Sequence, residues 1–378
     1  MKIVIDDKIP FIKGALEPYA DVVYLPGAKT GPEDVRDADA LITRTRTICN
    51  ESLLKGSKVK AIASATIGYD HIDTQWCESH GIDWTNSPGC NCRSVKTYIA
   101  SMLVSLCRER GWQTDCLTLG VVGVGNVGKQ VAKVGLGLGM RVLLNDPPRE
   151  RKEDTAAFCS LDEIMEQADI ITLHVPLEKE GPDATWHLFD AERIGRMKKN
   201  QYLINASRGP VVDNSALKEA LKEGRISGAS LDVWEGEPAI DPELVELLDY
   251  ATPHIAGYSQ DGKATGTMHS VNWILNRFGL AASHWVAPGV PVPSLPMEFH
   301  LDACGRPAQD VLTEAVQYVY KISEDSDALR EDLSRFEYLR GHYPVRRDID
   351  CYTVHLHGGS DYIYARLVLL GFQVIREQ

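Results

Sequence analysis

The stretch Thr118–Asp146, TLGVVGVGNVGKQVAKVGLGLGMRVLLND, decides the fold of this chain. It begins with a short apolar run of the kind that forms a buried strand, and a G-x-G-x-x-G pattern follows at Gly123, Gly125 and Gly128. A helical segment and a second apolar run, which ends on Asp146, complete the unit. The stretch therefore predicts a strand, a glycine turn, a helix and a second strand within about thirty residues.

Each part of this unit has a physical reason if a dinucleotide binds there. Gly123 permits the tight turn, Gly125 lets a pyrophosphate approach the backbone because it has no Cβ, and Gly128 lets the helix pack closely. The helix N-terminus favours the phosphate charge. Asp146 can accept hydrogen bonds from two ribose hydroxyls and would repel a 2′-phosphate. The pattern predicts a site for NAD rather than NADP, and the alternative is a glycine-rich turn in an ordinary α/β domain.

The composition is typical of a globular protein that binds neither nucleic acid nor membranes. The 378 residues suggest two or three domains, and 44% of them are hydrophobic. The net charge of −13 argues against a nucleic-acid or anionic-membrane partner. No run approaches the roughly twenty apolar residues of a membrane span. The N-terminus, MKIVIDDKIPF, reads as a strand rather than as a secretory signal.

The cysteines do not suggest a disulfide framework. There are nine, an odd number, scattered along the chain, which indicates reduced thiols and a cytoplasmic location. Cys90 and Cys92 lie two positions apart, but no second pair follows at zinc-ligand spacing. We therefore predict no metal site.

Residues 1–97 show strands alternating with helices, which predicts a parallel sheet. The predicted strands are Lys2–Ile5, Ala40–Thr43, Val59–Ser64 and Ile82–Trp84, with helices near 10–19, 50–56 and 70–80. Ligands bind at the carboxyl ends of such strands. Arg44, Thr45 and Thr66 follow strand ends and are candidate substrate contacts.

The rest of the chain predicts a second sheet and a smaller C-terminal domain. The fold class is α/β, with two doubly wound parallel-sheet (Rossmann/flavodoxin-like) domains and a small C-terminal α+β domain. The predicted substrate-binding domain comprises 1–97 and 257–285, the latter a helical return whose clearest part is His269–Ala281. The NAD-binding domain comprises 98–256. A proline-rich linker opens the C-terminal domain, 286–378.

Three charged residues follow successive strands of the second domain: Arg208, Glu237 and His254. Hydride transfer from a hydroxy acid needs a base, and an imidazole suits this role because it titrates near neutral pH. A neighbouring carboxylate can orient the imidazole, and a guanidinium can clamp the substrate carboxylate through two parallel bonds. Taken singly, each residue could equally be a solvated or turn residue; the three together predict an active site.

Several motifs resemble the D-isomer-specific 2-hydroxyacid dehydrogenase family, namely GVVGVGNVG, HVPL, NASRGPVVD, LDVWEGEP and TPHIAGY. Within that family, SATIGYDHID, SPGCN, HIAGYSQDGKATGT and the extra C-terminal domain resemble the erythronate-4-phosphate dehydrogenases. The resemblance covers nearly the whole chain. It implies NAD-dependent oxidation of 4-phospho-D-erythronate to 2-oxo-3-hydroxy-4-phosphobutanoate, a step in pyridoxal phosphate synthesis, and a homodimer formed largely through the C-terminal domain.

The resemblance also implies roles for individual residues. Arg208 and Glu237 would be active-site residues, with His254 the proton donor in the reductive direction. Thr45, Thr66 and Tyr258 would contact the substrate. The predicted cofactor-binding residues are Gly123, Gly125, Asn126, Val127, Gly128, Asp146, Val175, Ala206, Ser207, Arg208, Asp232 and Gly257. Because the chain is acidic, we expect local arginines to bind the substrate phosphate: first Arg44, and second Arg346 with Arg347.

The chain departs from the family pattern at a few positions. Thr45 stands where serine is common, which keeps the hydroxyl, and Val175 stands where threonine is frequent, which leaves only backbone or packing contacts. Lys96 and Thr97 alter the start of the helix that connects the domains. Two alternatives stay open: another dehydrogenase of the phosphoglycerate or glycerate type, and an NAD-sensing protein that resembles a transcriptional corepressor.

Overall fold

A computed structural model describes residues 1–153, 157–280 and 284–377 of the chain. They form two compact units. Unit 1 is Met1–Asn91 with Ser259–Val292, and unit 2 is Cys92–Tyr258 with Pro293–Gln378. Within the described ranges, no helix is long and apolar enough to cross a bilayer.

Unit 1 contains a five-stranded sheet, and every pairing in it is parallel. The strand order is β2-β1-β3-β4-β5. The strands are β1 Lys2–Asp6, β2 Asp21–Leu25, β3 Ala40–Thr43, β4 Ala61–Ser64 and β5 Asp83–Thr85. The helices are α1 Pro32–Val35, α2 Glu51–Leu54, α3 Thr74–Ser79 and α11 Gln260–Arg277. The parallel sheet and the four predicted strands are confirmed, with shifts at some strand ends. Of the predicted return helix, residues 281–283 lie outside the described ranges.

The helix predicted near 10–19 is wrong, and β2 was not predicted. Residues 10–19 form turns, with Phe11 at φ 64° and Gly14 at φ 84°. Pro10 and Pro18 lack the amide proton that a helix interior needs. The apolar side chains Ile12 and Leu16 are nevertheless buried in the core. Their spacing of four positions therefore indicated correctly that they are buried, but not that they lie on a helix.

The main sheet of unit 2 has six parallel strands in the order β11-β10-β9-β8-β6-β7. Its strands are β6 Thr118–Val122, β7 Arg141–Asn145, β8 Ile170–Leu173, β9 Tyr202–Asn205, β10 Gly228–Leu231 and β11 Tyr250–Ala251. Its helices are α4 Cys92–Arg110, α5 Asn126–Gly137, α6 Pro147–Glu153, α7 Leu161–Gln167, α8 Ala191–Arg196, α9 Asn214–Lys222 and α10 Pro242–Leu247. The strand order reverses between β6 and β8, so the carboxyl ends of these two strands form the switch point at which ligands bind.

Helix α7 begins with a capping box. Ser160 is the N-cap, and its hydroxyl accepts a hydrogen bond from the amide of Glu163. The carboxylate of Glu163 in turn accepts from the amide of Ser160 at 2.7 Å. This capping box satisfies two amides that the first turn of a helix leaves without backbone partners.

The C-terminal segment forms a three-stranded parallel sheet with helices, in the order β12-β13-β14. Its elements are β12 Glu298–Asp302, α12 Ala308–Val319, α13 Ile322–Glu331, α14 Phe336–Gly341, β13 Thr353–His357, α15 Asp361–Leu370 and β14 Gln373–Glu377. The predicted small domain with a sheet is confirmed, although β12 was not predicted. Helices α12 and α15 pack against α4 and α5, so this segment shares an apolar core with the six-stranded sheet.

The unusual residues at the start of α4 anchor the C-terminal segment. Lys96 is buried and its ammonium lies 2.6 Å from the carboxylate of Asp350. The hydroxyl of Thr97 accepts a hydrogen bond from the amide of Ile349 at 3.1 Å. The departure from the family pattern at these positions therefore concerns the attachment of the C-terminal segment.

Candidate active site

The glycine turn between β6 and α5 has the shape that a pyrophosphate requires. Gly123 has φ 84°, and a Cβ on it would lie 2.7 Å from the carbonyl oxygen of His174. A Cβ on Gly128 would lie 1.9 Å from the carbonyl oxygen of Gly123. A Cβ on Gly125 would instead meet no atom within 4 Å. Gly123 and Gly128 are thus required by the close packing of the protein backbone, whereas Gly125 leaves open space at the helix N-terminus.

Asp146 ties the end of β7 to this turn. One carboxylate oxygen accepts from the amide of Val124 at 2.8 Å, and the other accepts from the amide of Arg149 at 3.0 Å. The guanidinium of Arg149 donates to the carbonyl oxygen of Val124 at 2.6 Å. Each carboxylate oxygen has a further lone pair, so the geometry leaves Asp146 able to accept from ribose hydroxyls.

The segment after β8 closes the other side of the turn. His174 donates its amide proton to the carbonyl oxygen of Val122 at 2.7 Å. Its ring is buried, which lowers the pKa of His174 to about 3 and keeps the ring neutral. A methyl group of Val175 lies 2.7 Å from the position of a Cβ on Gly123. Val175 thus packs on the glycine turn, in keeping with a contact made by backbone or packing.

Arg208 stands in a tightly bonded loop after β9. The side-chain oxygen of Asn205 accepts from the amide and the hydroxyl of Ser207, at 3.1 and 2.8 Å. The amide group of Asn205 donates to the carbonyl oxygen of Arg208 at 2.8 Å. A Cβ on Gly209 would lie 2.0 Å from the carbonyl oxygen of Trp234, so this loop touches the one that leads to Glu237.

His254 and Glu237 form a hydrogen-bonded pair. The Nδ1 of His254 donates to Oε2 of Glu237 at 2.8 Å, and the other carboxylate oxygen accepts from the amide of Trp234 at 2.9 Å. Burial raises the pKa of Glu237, but the hydrogen bond and charge of His254, the Trp234 amide and the charge of Arg340 together hold it below its usual value. Because Nδ1 is occupied and a third of the ring is exposed, Nε2 is the nitrogen left for a substrate proton.

The loop that carries His254 is held from both sides. Buried Asp232 accepts from the amides of Ile255 and Ala256, at 2.7 and 2.9 Å. Buried Arg346 donates to the carbonyl oxygens of the same two residues, at 2.9 and 2.6 Å. A carboxylate and a guanidinium thus fix the two residues that follow His254. His254 itself has φ 56°, a conformation that side-chain-bearing residues rarely adopt.

Arg346 was a second candidate for the substrate phosphate, and the structure shows it bonded to the protein instead. It stacks over the rings of Tyr320 and Tyr343 and donates to the His254 loop. Its neighbour Arg347 lies 3.6 Å from the sulfur of Cys351. The sequence HYPVRRD around Arg346 gives no indication that this side chain is buried. Arg340 was not predicted as a site residue either, because its surrounding sequence carries no local signal.

In unit 1, the predicted substrate contacts follow two neighbouring strands. Arg44 and Thr45 come directly after β3, and Thr66 follows β4, its parallel neighbour. The guanidinium of Arg44 donates to the carbonyl oxygen of Lys8 at 3.0 Å. The hydroxyl of Thr66 donates to the carbonyl oxygen of Gly68 at 3.0 Å. These residues therefore follow the carboxyl ends of two adjacent parallel strands, on the same edge of the unit-1 sheet, as expected.

The remaining predicted residues of unit 2 lie on the same loops. Gly257 and Tyr258 continue the His254 loop, and Ala206 precedes Ser207 after β9. Asn126 and Val127 open α5. The open space at Gly125, the absence of a side-chain cap on α5 and the acid at the end of β7 all fit NAD.

Two family models match the chain. Residues 96–256 match the NAD-binding domain of D-isomer-specific 2-hydroxyacid dehydrogenases. Residues 295–371 match a domain of unknown function. The first match covers the six-stranded sheet, and the second covers the greater part of the C-terminal segment.

Named relatives and solved structures agree with this match. An erythronate-4-phosphate dehydrogenase of Bacteroides thetaiotaomicron is 50% identical over 94% of this chain and 99% of its own. One of Pseudomonas fluorescens is 41% identical over 99% of this chain and 100% of its own. A D-lactate dehydrogenase of Aquifex aeolicus, solved with NAD and lactic acid, is 29% identical, with a TM-score of 0.63 over 74% of this chain and 96% of its own.

A formate dehydrogenase of Staphylococcus aureus, solved with NAD, is 26% identical, with a TM-score of 0.60 over 74% of this chain and 96% of its own. These likenesses accord with the glycine turn, Asp146 and the hydrogen-bonded pair His254–Glu237. The prediction of an NAD-dependent oxidoreductase is therefore confirmed. The chain belongs to the erythronate-4-phosphate dehydrogenases, within the D-isomer-specific 2-hydroxyacid dehydrogenase family.

Proposed function

We propose that this enzyme oxidises 4-phospho-D-erythronate at C2 to 2-oxo-3-hydroxy-4-phosphobutanoate, with NAD as acceptor, in pyridoxal phosphate synthesis. The observation that carries the chemistry is the 2.8 Å hydrogen bond between His254 and Glu237, in the same unit as Arg208 and the glycine turn. The substrate follows from relatives named erythronate-4-phosphate dehydrogenase at 50% and 41% identity over nearly the whole chain.

The proposed roles follow from the contacts. Glu237 holds the imidazole with Nδ1 protonated, so Nε2 of His254 is positioned to take the proton from the C2 hydroxyl. The charge of Glu237 then stabilises the imidazolium that forms. Arg208 clamps the substrate carboxylate through two parallel hydrogen bonds. When bound, NAD accepts the hydride from C2, so the balanced products are the oxo acid, NADH and a proton on His254.

The finer parts of the assignment are also proposals. Arg44, Thr45, Thr66 and Tyr258 contact the substrate, with 1–97 and 257–285 as the substrate-binding domain. Residues 98–256 bind NAD, and 286–378 mediate a homodimer. The exposed apolar side chains Val368, Leu369 and Ile375 of this last segment are consistent with burial by a second copy. A location in the cytoplasm rests on the nine cysteines, which are all free thiols in the structure.

A substrate panel tests the proposed function. The purified enzyme is assayed by NADH absorbance with 4-phosphoerythronate, erythronate, 3-phosphoglycerate, glycerate and lactate. We expect the highest kcat/KM for 4-phosphoerythronate. A higher value for 3-phosphoglycerate or glycerate would establish the neighbouring type of dehydrogenase instead. Saturable NAD binding without turnover of any acid would favour the NAD-sensing alternative. Single-turnover assays guard against slow release of NADH being taken for inactivity.

A further inference from the structure

Arg340 is a cation that the C-terminal segment places beside the catalytic pair. It lies on α14, and its guanidinium carbon is 5.6 Å from the centre of the Tyr258 ring. Burial acts to lower the pKa of Arg340, but Tyr258 and the carboxylates of Glu237 and Glu337 hold it above the usual value. The guanidinium is therefore charged, and its charge is the smallest of the named contributions that lower the pKa of Glu237.

The hydrogen-bonding capacity of Arg340 is only partly used. A guanidinium has five N–H donors. One of its terminal nitrogens donates to Glu337 at 3.1 Å. Its Nε is buried and has no hydrogen-bond partner among residues 1–153, 157–280 and 284–377. The terminal N–H groups that Glu337 does not use therefore remain available to a ligand that brings an acceptor.

The other buried arginine of this segment, Arg346, also has a buried Nε with no hydrogen-bond partner among the described residues, but its terminal nitrogens are used differently. Arg346 directs a terminal nitrogen to two backbone carbonyl oxygens and stacks between aromatic rings. Its contacts make it part of the framework of the His254 loop. The side chain of Arg340 keeps 19% of its surface exposed, so a ligand can reach it. The two arginines therefore divide into one that holds the loop and one that faces the site.

We propose that Arg340 binds the phosphate group of the substrate and thereby selects a phosphorylated hydroxy acid. This rests on the proposed function: the substrate has two anionic ends, and Arg208 takes the carboxylate. Guanidinium and phosphate form strong paired hydrogen bonds. A chain with net charge −13 must supply such a cation locally. Arg340 lies within 295–371, so the domain of unknown function acquires a role in substrate selection.

The test compares substrates with and without the phosphate. Steady-state constants are measured for wild type, Arg340→Gln, Arg340→Lys and Arg44→Gln, with 4-phosphoerythronate and erythronate. Arg335→Gln is the matched control, because it removes an equal charge from a neighbouring residue that stacks on Tyr338. For Arg340→Gln we expect KM for the phosphorylated acid to rise about tenfold to a hundredfold. The kcat value and the KM for erythronate should stay within about threefold.

Other results would overturn the proposal. Equal losses with both acids would show that Arg340 acts through Glu237, and a phosphate-specific loss in Arg44→Gln alone would assign the phosphate to Arg44. Arg340→Lys keeps the charge and controls for misfolding. If wild type fails to oxidise 4-phosphoerythronate, the proposed function fails, and calorimetric binding of inorganic phosphate still decides this inference. Phosphate binding weakened by Arg340→Gln supports it, whereas unchanged or undetectable binding removes it.

Discussion

The two larger sheets share one strand order and use it differently. Unit 1 has the order β2-β1-β3-β4-β5, and unit 2 repeats it as β7-β6-β8-β9-β10 with β11 added at the edge. Each order reverses beside its first strand, at a point where ligands bind. After β6 the chain turns through glycines into α5. After β1 it continues as Asp7 and Lys8 into turns, with no α-helix described before Pro32.

The two switch points therefore offer different groups to a ligand: backbone amides in unit 2 and side chains in unit 1. In unit 2, amides at a helix N-terminus and bare glycines face the switch point, which suits a diphosphate. In unit 1 the same place holds the buried carboxylate of Asp6, which accepts from the amide of Lys8 at 2.9 Å and would repel a phosphate. The predicted unit-1 contacts are instead side chains from the ends of β3 and β4. Strand order provides a place for a ligand, and the residues after the first strand decide which ligand fits.

The largest expected effect comes from His254→Ala, because the pair with Glu237 has no counterpart among the predicted contacts of unit 1. Loss of the base should lower kcat by about 10²–10⁴-fold, while the Kd for NAD changes by less than about threefold. Stopped-flow NADH formation and calorimetry measure the two quantities. Thr66→Val is the comparison in unit 1, and it should raise KM with a small change in kcat. Near-normal turnover of His254→Ala would remove the catalytic assignment.

Two glycine variants distinguish an effect on the stability of the fold from an effect on NAD binding. Gly128→Ala places a Cβ against the carbonyl oxygen of Gly123, and the resulting strain should cost about 1–3 kcal/mol of unfolding free energy. Gly125→Ala meets no protein atom, so stability should be nearly unchanged while NAD binding weakens at least tenfold. Urea unfolding and calorimetry check both. Wild-type affinity in Gly125→Ala would show that no pyrophosphate lies over this turn.

Buried histidines in both units should make stability fall in mild acid. His71 in unit 1 lies 3.2 Å from the hydroxyl of Thr43, and His174 in unit 2 lies 2.9 Å from that of Thr172. Burial lowers the pKa of His71 to about 4 and the pKa of His174 to about 3. In the unfolded chain both protonate near pH 6.5, so their contribution is present above pH 6.5 and declines as the pH drops towards the folded values.

The expected decline is up to about 1.4 kcal/mol per pH unit for each histidine. Urea titrations between pH 7.5 and pH 5 measure it. His71→Gln and His174→Gln keep a polar group opposite the threonine but do not titrate, so each should flatten the pH dependence. A slope identical to wild type in both variants would show that neither ring is held neutral.

The smallest expected effect is a change of cofactor preference. Asp146→Ser removes the charge that opposes a 2′-phosphate and leaves the guanidinium of Arg149, which is bonded beside the turn. We expect the ratio of kcat/KM for NADP to that for NAD to rise about tenfold, or about 1.4 kcal/mol. Adding Arg149→Ala should cancel most of the gain. An unchanged ratio would mean that Asp146 does not face the ribose.

Much of the site was predictable because it depends on local patterns and on one general rule. The glycine turn and its acid lie within one stretch, and their spacing alone indicates a dinucleotide site. Arg208, Glu237 and His254 are far apart in the chain, but each follows a strand, and the carboxyl ends of parallel strands lie on one edge of a sheet. The capping box at Ser160 was predictable for the same reason, since its two partners are three residues apart.

By itself, then, the sequence predicted the glycine turn with its acid, the parallel sheets and three candidate catalytic side chains. The first two follow from short spacing and periodicity, and the third follows from the position of each residue after a strand. Only the tertiary structure decided which arginine stabilises the His254 loop through hydrogen bonds, Arg346, and which one is open to a ligand, Arg340. Arg346 bonds Ile255, ninety-one positions away, and Arg340 stacks near Tyr258. The helix predicted for residues 10–19 was wrong for a related reason. Ile12 and Leu16 are buried by the folded core, and their spacing alone cannot distinguish a helix from a series of turns.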